Sequence, residues 1–384
     1  MIDSLKKQFG EINASESSLN RLVYSSDASM IEGRAKAVVF PKDFEDLQKL
    51  VRLAKRFDIG LMPRGAGTNV VGACVPEGHI VVDMCKINQL VDYGPNFVIV
   101  GAGMILEDLN NMLKKKFLPI EMDNDACTIG GMIAMNAMSN RVKQYGRMED
   151  WVEEMEVIDG SGKYELIKGD RLKHFVGKEG STGFIVTAKL KVIERPFLKP
   201  LNIMSFNTIT STIEMVDSLL KDPNVTYIEY FDEELSEAMD LGNKCHLLVE
   251  YDNDEGKIKD MEEIAEIWEL RKNLDSHMKT LGYIECEMFQ LEFGNMDKYL
   301  YWLRKRQVPT MALFSPNVVT SYFRKREMRK EEIMKTAESV KAKMNYLGTG
   351  MKYKNYLTAE EKEGYKELKK YYDLKDLMNR GMKV

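Results

Sequence analysis

The sequence predicts an α+β protein with more than one domain, and three observations carry that prediction. Apolar runs of strand length alternate with segments of helical spacing along the 384 residues. Loops of small residues interrupt the first half. From about residue 198 the alternation continues without glycine loops, and this change of pattern marks a domain boundary.

After an N-terminal helical segment, residues 36–40 read as a strand, closed by Pro41. Asp43 opens a helix with an acidic first turn, which suits the helix dipole, and Phe44, Leu47, Leu50, Val51, Ala54 and Phe57 recur at helical spacing. Residues 59–62 form the next strand and run into Pro63, Arg64, Gly65, Ala66, Gly67, Thr68 and Asn69. A strand that breaks into small residues brings several backbone N–H groups together, with no Cβ at the glycines to hold an anion away. That outline fits a phosphate cradle, and it also fits an ordinary glycine turn. More strand follows at 79–84, so phosphates would be held by a loop and not by the helix N-terminus of a dinucleotide fold.

Residues 97–101 read as a strand and 106–117 as an amphipathic helix with Leu106, Leu109, Leu113 and Phe117 on one side. Next comes a stretch in which Gly130, Gly131, Ala134 and Ala137 leave a face with almost no side chain. A flat ring could lie there, or another helix could pack closely. Residues 152–158 and 163–167 form a hairpin about Asp159, Gly160, Ser161 and Gly162. A second small-residue loop, 178–183, enters the alternating strand 184–193, and Arg195 and Pro196 end the unit.

Beyond it, strands are expected at 201–206, 226–231, 246–251, 283–291 and 310–314, with a long helix over 255–279, giving an antiparallel sheet with helices on one face. Helices over 326–346 and 358–372 lack a core of their own and are expected to pack back on earlier parts of the chain. The domain reading is 1–196, 197–320 and a C-terminal helical segment 321–384.

Composition narrows the function. The net charge of -5 gives no reason to expect nucleic acid. From Tyr322 onward there are 17 Lys and Arg against 10 Asp and Glu, which fits a solvated helical face or a docking surface. Five widely spaced cysteines without a C-x-x-C pair, and four histidines without ligand spacing, point away from zinc, iron–sulfur or histidine-built metal sites. No signal peptide and no apolar run near the roughly 18 residues of a membrane span is apparent, so the expected location is cytoplasmic, with peripheral membrane attachment as the alternative.

Four motifs stand in one order: PRGAGTN from Pro63, CTIGGMIAMNA from Cys127, QYGRMEDWVEEMEVIDGSG from Gln144 and EGSTGFIVTAKLKVI from Glu179, preceded by Tyr24, Ser25, Ser26, Asp27 and Ala28. Together they resemble the FAD-linked oxidases of the vanillyl-alcohol-oxidase superfamily, in the branch of D-lactate dehydrogenases and the glycolate oxidase catalytic subunit. The resemblance runs to about Pro196. More weakly, it returns at Gly348, Thr349, Gly350 and at 371–384. It implies a PCMH-type FAD-binding domain of two α+β subdomains, an antiparallel-sheet α+β cap domain and a C-terminal helical segment returning to the FAD domain.

The resemblance further implies that the amides of residues 64–69, after Pro63, bind the pyrophosphate of FAD. Cys127, Thr128, Gly131, Ala134, Asn136 and Ala137 would lie along the ribityl chain and ring, and Glu179, Gly180 and Ile185 near the adenosine half. Members that tether the flavin often use a histidine in or near the cradle, and this cradle has none, so noncovalent FAD is expected. The branch oxidises 2-hydroxy acids with an arginine in W-x-x-R, here Trp268 to Arg271, whose fork would hold the substrate carboxylate. A same-helix ion pair with Glu266 or Asp275 is the alternative for Arg271.

The histidines with which the branch binds a divalent metal are missing: residues 313–322 carry none, and Tyr346 and Leu347 stand where a Glu-His pair is usual. Tyr322, Tyr346, Tyr353 and Lys352 are then the candidate proton-handling groups, with Tyr322, Tyr346 and Lys352 joining Arg271 as the catalytic set. The expected function is an FAD-dependent dehydrogenase that takes a hydride from a small organic, 2-hydroxy-acid-like substrate without a metal. Electrons would leave to an external acceptor, an iron–sulfur protein or quinone. The rivals are a flavin-carrying relay or non-catalytic subunit, and a transferase like alkylglycerone phosphate synthase.

Overall fold

The computed structural model describes residues 1–10, 13–324 and 329–381. The start of the helix expected from residue 326, and the last residues of the expected C-terminal match, lie outside them. The chain divides into two compact units: one holds residues 1–140, 146–195 and 347–384, the other 141–145 and 196–346.

In the first unit a four-stranded sheet is built around Ile80–Asp83, which pairs in parallel with Ala37–Val39 on one side and Leu61–Arg64 on the other. The connecting helix Phe44–Phe57 begins where Asp43 accepts the Asp46 N–H at 2.8 Å, and it ends at Asp58 in the left-handed region. Leu47, Leu50, Val51 and Ala54 are its buried face, packed with Leu61, Ile80 and Val82. Each large side chain in that seam is worth about 1.5–3 kcal/mol of burial. Leu61–Arg64 is an edge strand by sheet order, yet its edge is covered: the Leu61 N–H donates to Leu377 O at 2.7 Å and the Asn379 N–H to Leu61 O at 2.8 Å.

A second, five-stranded antiparallel sheet carries the long pair Val152–Asp159 and Gly183–Lys191 at its centre. Its core joins Val98, Val100, Leu109, Ile129, Ile133, Met155 and Leu190. The helix expected over 106–117 ends at Leu113. Lys114 turns into positive φ, and Lys116–Phe117 instead pairs with Ile193–Glu194.

The second unit is a six-stranded antiparallel sheet. One strand, Val318–Phe323, was not among those expected; it pairs with Thr310–Leu313 and Glu285–Gln290 and crosses residue 320, so a boundary there falls inside an element. The long helix runs Met261–Thr280, starting late because the Asp260 carboxylate accepts the Glu262 and Glu263 N–H groups. Its face packs on Tyr227, Phe231, Leu248 and Met311. The alternate residues Ile228, Tyr230, Leu247 and Val249 are buried as well. Helices Ile209–Leu220 and Met296–Lys305, absent from that core, pack on each other and on the sheet strands, so helices cover both faces and not one as the alternation suggested. Among the described residues no helix is long and apolar enough to cross a membrane.

Candidate functional site

In the first unit the strand Leu61–Arg64 ends in a loop whose backbone donors are left over. Among the described residues, the amides of Gly65, Ala66, Gly67, Thr68 and Asn69 donate to no protein acceptor. The loop is shaped from beneath. Arg64 donates from Nη1 to Ser26 O at 2.6 Å and lies over the Tyr24 ring, while Tyr24 OH donates to Asp83. Asn69 Oδ1 accepts the N–H groups of Val71 (3.0 Å) and Ala73 (2.8 Å). Gly67 has φ 73°, and a Cβ there would stand 2.2 Å from Arg64 Nη2.

The small-residue segment lies against this loop. A Cβ on Gly65 would be 2.0 Å from Thr128 Oγ1. Thr128 caps the helix Ile129–Met135 by accepting the Gly131 N–H at 3.3 Å, and Gly131, Ala134, Asn136 and Ala137 are half-buried. Cys127 is buried, which pushes its thiol up to about 12. The helix's last carbonyls are met by the next loop: Gly177 N–H donates to Ile133 O at 3.0 Å and Glu179 N–H to Ala134 O at 2.8 Å. Gly180, at φ 68°, leaves only 3.0 Å between its missing Cβ and Pro63 Cγ. Ile185, by contrast, is buried in the core of the five-stranded sheet. Residues 63–69, 127–137 and 177–180 therefore share one neighbourhood, joined by Gly348, whose missing Cβ would stand 2.4 Å from Met135 Cε.

The second unit holds a different arrangement. Arg271 is buried and forked on Glu229: Nε donates to Oε2 at 2.5 Å and Nη2 to Oε1 at 2.8 Å. The fork meets a strand residue, where a same-helix pair with Glu266 or Asp275 was the alternative, because this helix face is turned to the sheet. Tyr227 OH also donates to Glu229, at 2.6 Å. A parallel cluster, invisible from the sequence, sets Arg141 on Glu250 through Nη2 (2.7 Å) and Nε (2.9 Å), with Thr226 Oγ1 donating to Glu250 at 2.7 Å and Trp268 under the Arg141 guanidinium. Tyr322 is buried with its hydroxyl 3.8 Å from Met311 Sδ. Tyr346 is half-buried in this unit; Lys352, half-buried in the first, lies along the Tyr353 ring. Among the described residues no group of three or more His, Cys, Asp or Glu is placed to hold a metal ion.

Residues 35–167, which contain the cradle and the small-residue helix, match the family described as FAD binding domain. This stretch is an FAD-binding domain. The FAD-binding domain has dehydrogenases among its relatives: D-2-hydroxyglutarate dehydrogenase of Stutzerimonas stutzeri is 26% identical over 262 residues, covering 63% of this chain and 56% of that one. Glycolate oxidase subunit GlcD of Bacillus subtilis is 27% identical over 227 residues, 55% of this chain and 48% of the relative. The chain spans about half the length of the curated relatives it matches. A solved alkyldihydroxyacetonephosphate synthase superposes over 99% of this chain and 84% of its own with TM-score 0.74 at 16% identity, which gives the whole chain the α+β, PCMH-type fold. The protein residues around the FAD-binding domain's cradle fit a diphosphate: five adjacent donors without acceptors, at a loop where a Cβ would collide.

Proposed function

We propose that the chain is an FAD-dependent dehydrogenase acting on the CH–OH group of a small 2-hydroxy-acid-like substrate. The five unclaimed amides of residues 65–69, beside the bare face at Gly131 and Ala134, are the observation that carries this reading. The amides of Arg64 to Asn69 hold the pyrophosphate, with Pro63 packed behind them. Cys127, Thr128, Gly131, Ala134, Asn136 and Ala137 line the ring and ribityl side, and Gly180, with Glu179 and Ile185 behind it, closes the adenosine side. Bound FAD supplies a two-electron acceptor for hydride. Binding is noncovalent: no histidine lies within the cradle, and the nearest in sequence, His79, accepts the Glu77 N–H at Nδ1 and faces Arg380 O through Nε2.

In this reading residues 1–140 and 146–195 bind the cofactor, 141–145 with 196–346 act as the cap, and the segment from residue 347 completes the cofactor domain. The substrate proton passes to Tyr346 or Lys352, and Tyr322 is left out because its hydroxyl is enclosed beside Met311. Arg271 is a charge already matched by Glu229, so a carboxylate substrate is held elsewhere or by sharing that fork. Electrons leave to a separate quinone or iron–sulfur protein.

The test is an anaerobic titration of the yellow protein with D-lactate, D-2-hydroxyglutarate and glycolate, following flavin absorbance with and without a chelator. Bleaching that survives chelation is the expected result. A flavin that dithionite reduces but no hydroxy acid bleaches overturns the substrate class.

A further inference from the structure

We infer that Glu179 is a latch that fixes the loop of residues 347–350 against the cofactor cradle, a positioning role that rests on the flavin reading above. Glu179 sits at φ 52°, in the left-handed region that side-chain-bearing residues rarely adopt, between two glycines, Gly177 and Gly180, that are both at φ 68°. Hydrogen bonds of its backbone and its side chain hold it there. Its N–H donates to Ala134 O, and its carbonyl accepts from Asn379 Nδ2 at 2.7 Å. Its buried carboxylate accepts the Thr349 N–H at Oε1 (2.7 Å) and the Gly350 N–H at Oε2 (2.9 Å).

A buried carboxylate that gives one oxygen to each of two successive amides fixes both the distance and the tilt of that peptide. The loop so held has no slack. Gly348 has φ 126° and Gly350 φ 48°, and a Cβ on Gly350 would lie 2.0 Å from Val71 O. Met351 N–H and Lys352 N–H donate to Gly72 O and Val71 O, directly beyond the cradle. Gly348 abuts Met135, whose Sδ accepts from the Asn69 side-chain Nδ2 at 3.3 Å. Residues far apart in the chain thus wall one neighbourhood, and the Glu179 carboxylate ties the loop of residues 347–350 into it, beside Asn379, whose Nδ2 donates to Ala73 O and Glu179 O. Both carboxylate oxygens are engaged by the loop amides, so the residue's proposed role is to position the loop.

The test uses Glu179→Ala and Glu179→Gln in the full chain, stripped of flavin and titrated with FAD by fluorescence quenching, with limited proteolysis of residues 347–381 read by mass. Loss of two charge-assisted hydrogen bonds to the loop should weaken FAD binding by roughly tenfold to hundredfold in the alanine variant. Glutamine keeps one acceptor oxygen and should fall between. The segment should become cleavable in Glu179→Ala and stay protected in the wild-type holoprotein. Asp43→Ala removes a helix cap that makes none of these contacts, so it should lower thermal stability and leave FAD affinity unchanged. Wild-type uptake of FAD with equal affinity in both Glu179 variants overturns the latch alone, as does an equal loss in Asp43→Ala. A wild-type chain that takes up no FAD overturns the flavin reading and the latch with it.

Discussion

Replacing Arg271 with methionine should cost the second unit stability before it costs anything at a substrate. The Glu229 side chain is 1% exposed and that of Arg271 is 7% exposed. Taking away one partner leaves a buried carboxylate with Tyr227 OH as its remaining donor, at 2.6 Å. Breaking a buried pair in this way costs about 3–5 kcal/mol, and the tyrosine bond places this case near the lower end. The double variant Arg271→Met, Glu229→Met removes both charges and fills the space with apolar side chains, so it should cost less than either single change. Urea unfolding followed by tryptophan fluorescence reads this directly, because Trp268 packs edge-on against Tyr227 at 5.1 Å within the same cluster. A single variant that shifts unfolding by less than about 1 kcal/mol while raising KM would refute the argument and return Arg271 to the role of carboxylate clamp.

Gly65→Ala should lower FAD retention more than about tenfold, since its Cβ would meet Thr128 Oγ1 at 2.0 Å, and adding Thr128→Ala should recover part of the loss; the flavin-to-protein ratio after gel filtration reports both. Burial pushes the Asp232 carboxyl up to about 8, although its oxygens accept the Leu235 and Thr310 N–H groups. The folded chain therefore keeps a proton that the unfolded chain has released above the usual carboxylate range. Its contribution to stability is complete below about pH 4 and is lost as pH rises toward 8, so Asp232→Asn should flatten the fall of the urea midpoint over that window.

What could be read from the chain was what local chemistry decides. The cap at Asp43, the helix behind it and the strand 97–101 depend on neighbours within a few residues, and they were legible to within one or two positions. The loop at 65–67 was legible as a sharp glycine turn because a Cβ at Gly65 or Gly67 would collide with Thr128 or Arg64, so these two positions must be glycine. Lys114 ended a helix that apolar spacing alone would have carried to Phe117, since its left-handed turn has no signal in spacing. Strand Val318–Phe323 was missed because its residues stood in a segment judged by the histidines it lacks. The Arg271–Glu229 and Arg141–Glu250 pairs depend on which strand lies under which helix turn, and separations of that kind are set by sheet register, not by sequence distance.

The covering of strand Leu61–Arg64 by Leu377 and Asn379 has a consequence for how the protein is made. During synthesis this strand leaves the ribosome long before the residues that shield its free edge, and the cradle it carries waits with it. The first subdomain must persist through translation of the whole second unit with an open edge and an unfinished binding loop. Cofactor loading then waits for residues 377–379 to emerge, and pulse-labelled nascent chains stalled before residue 377 should take up no FAD.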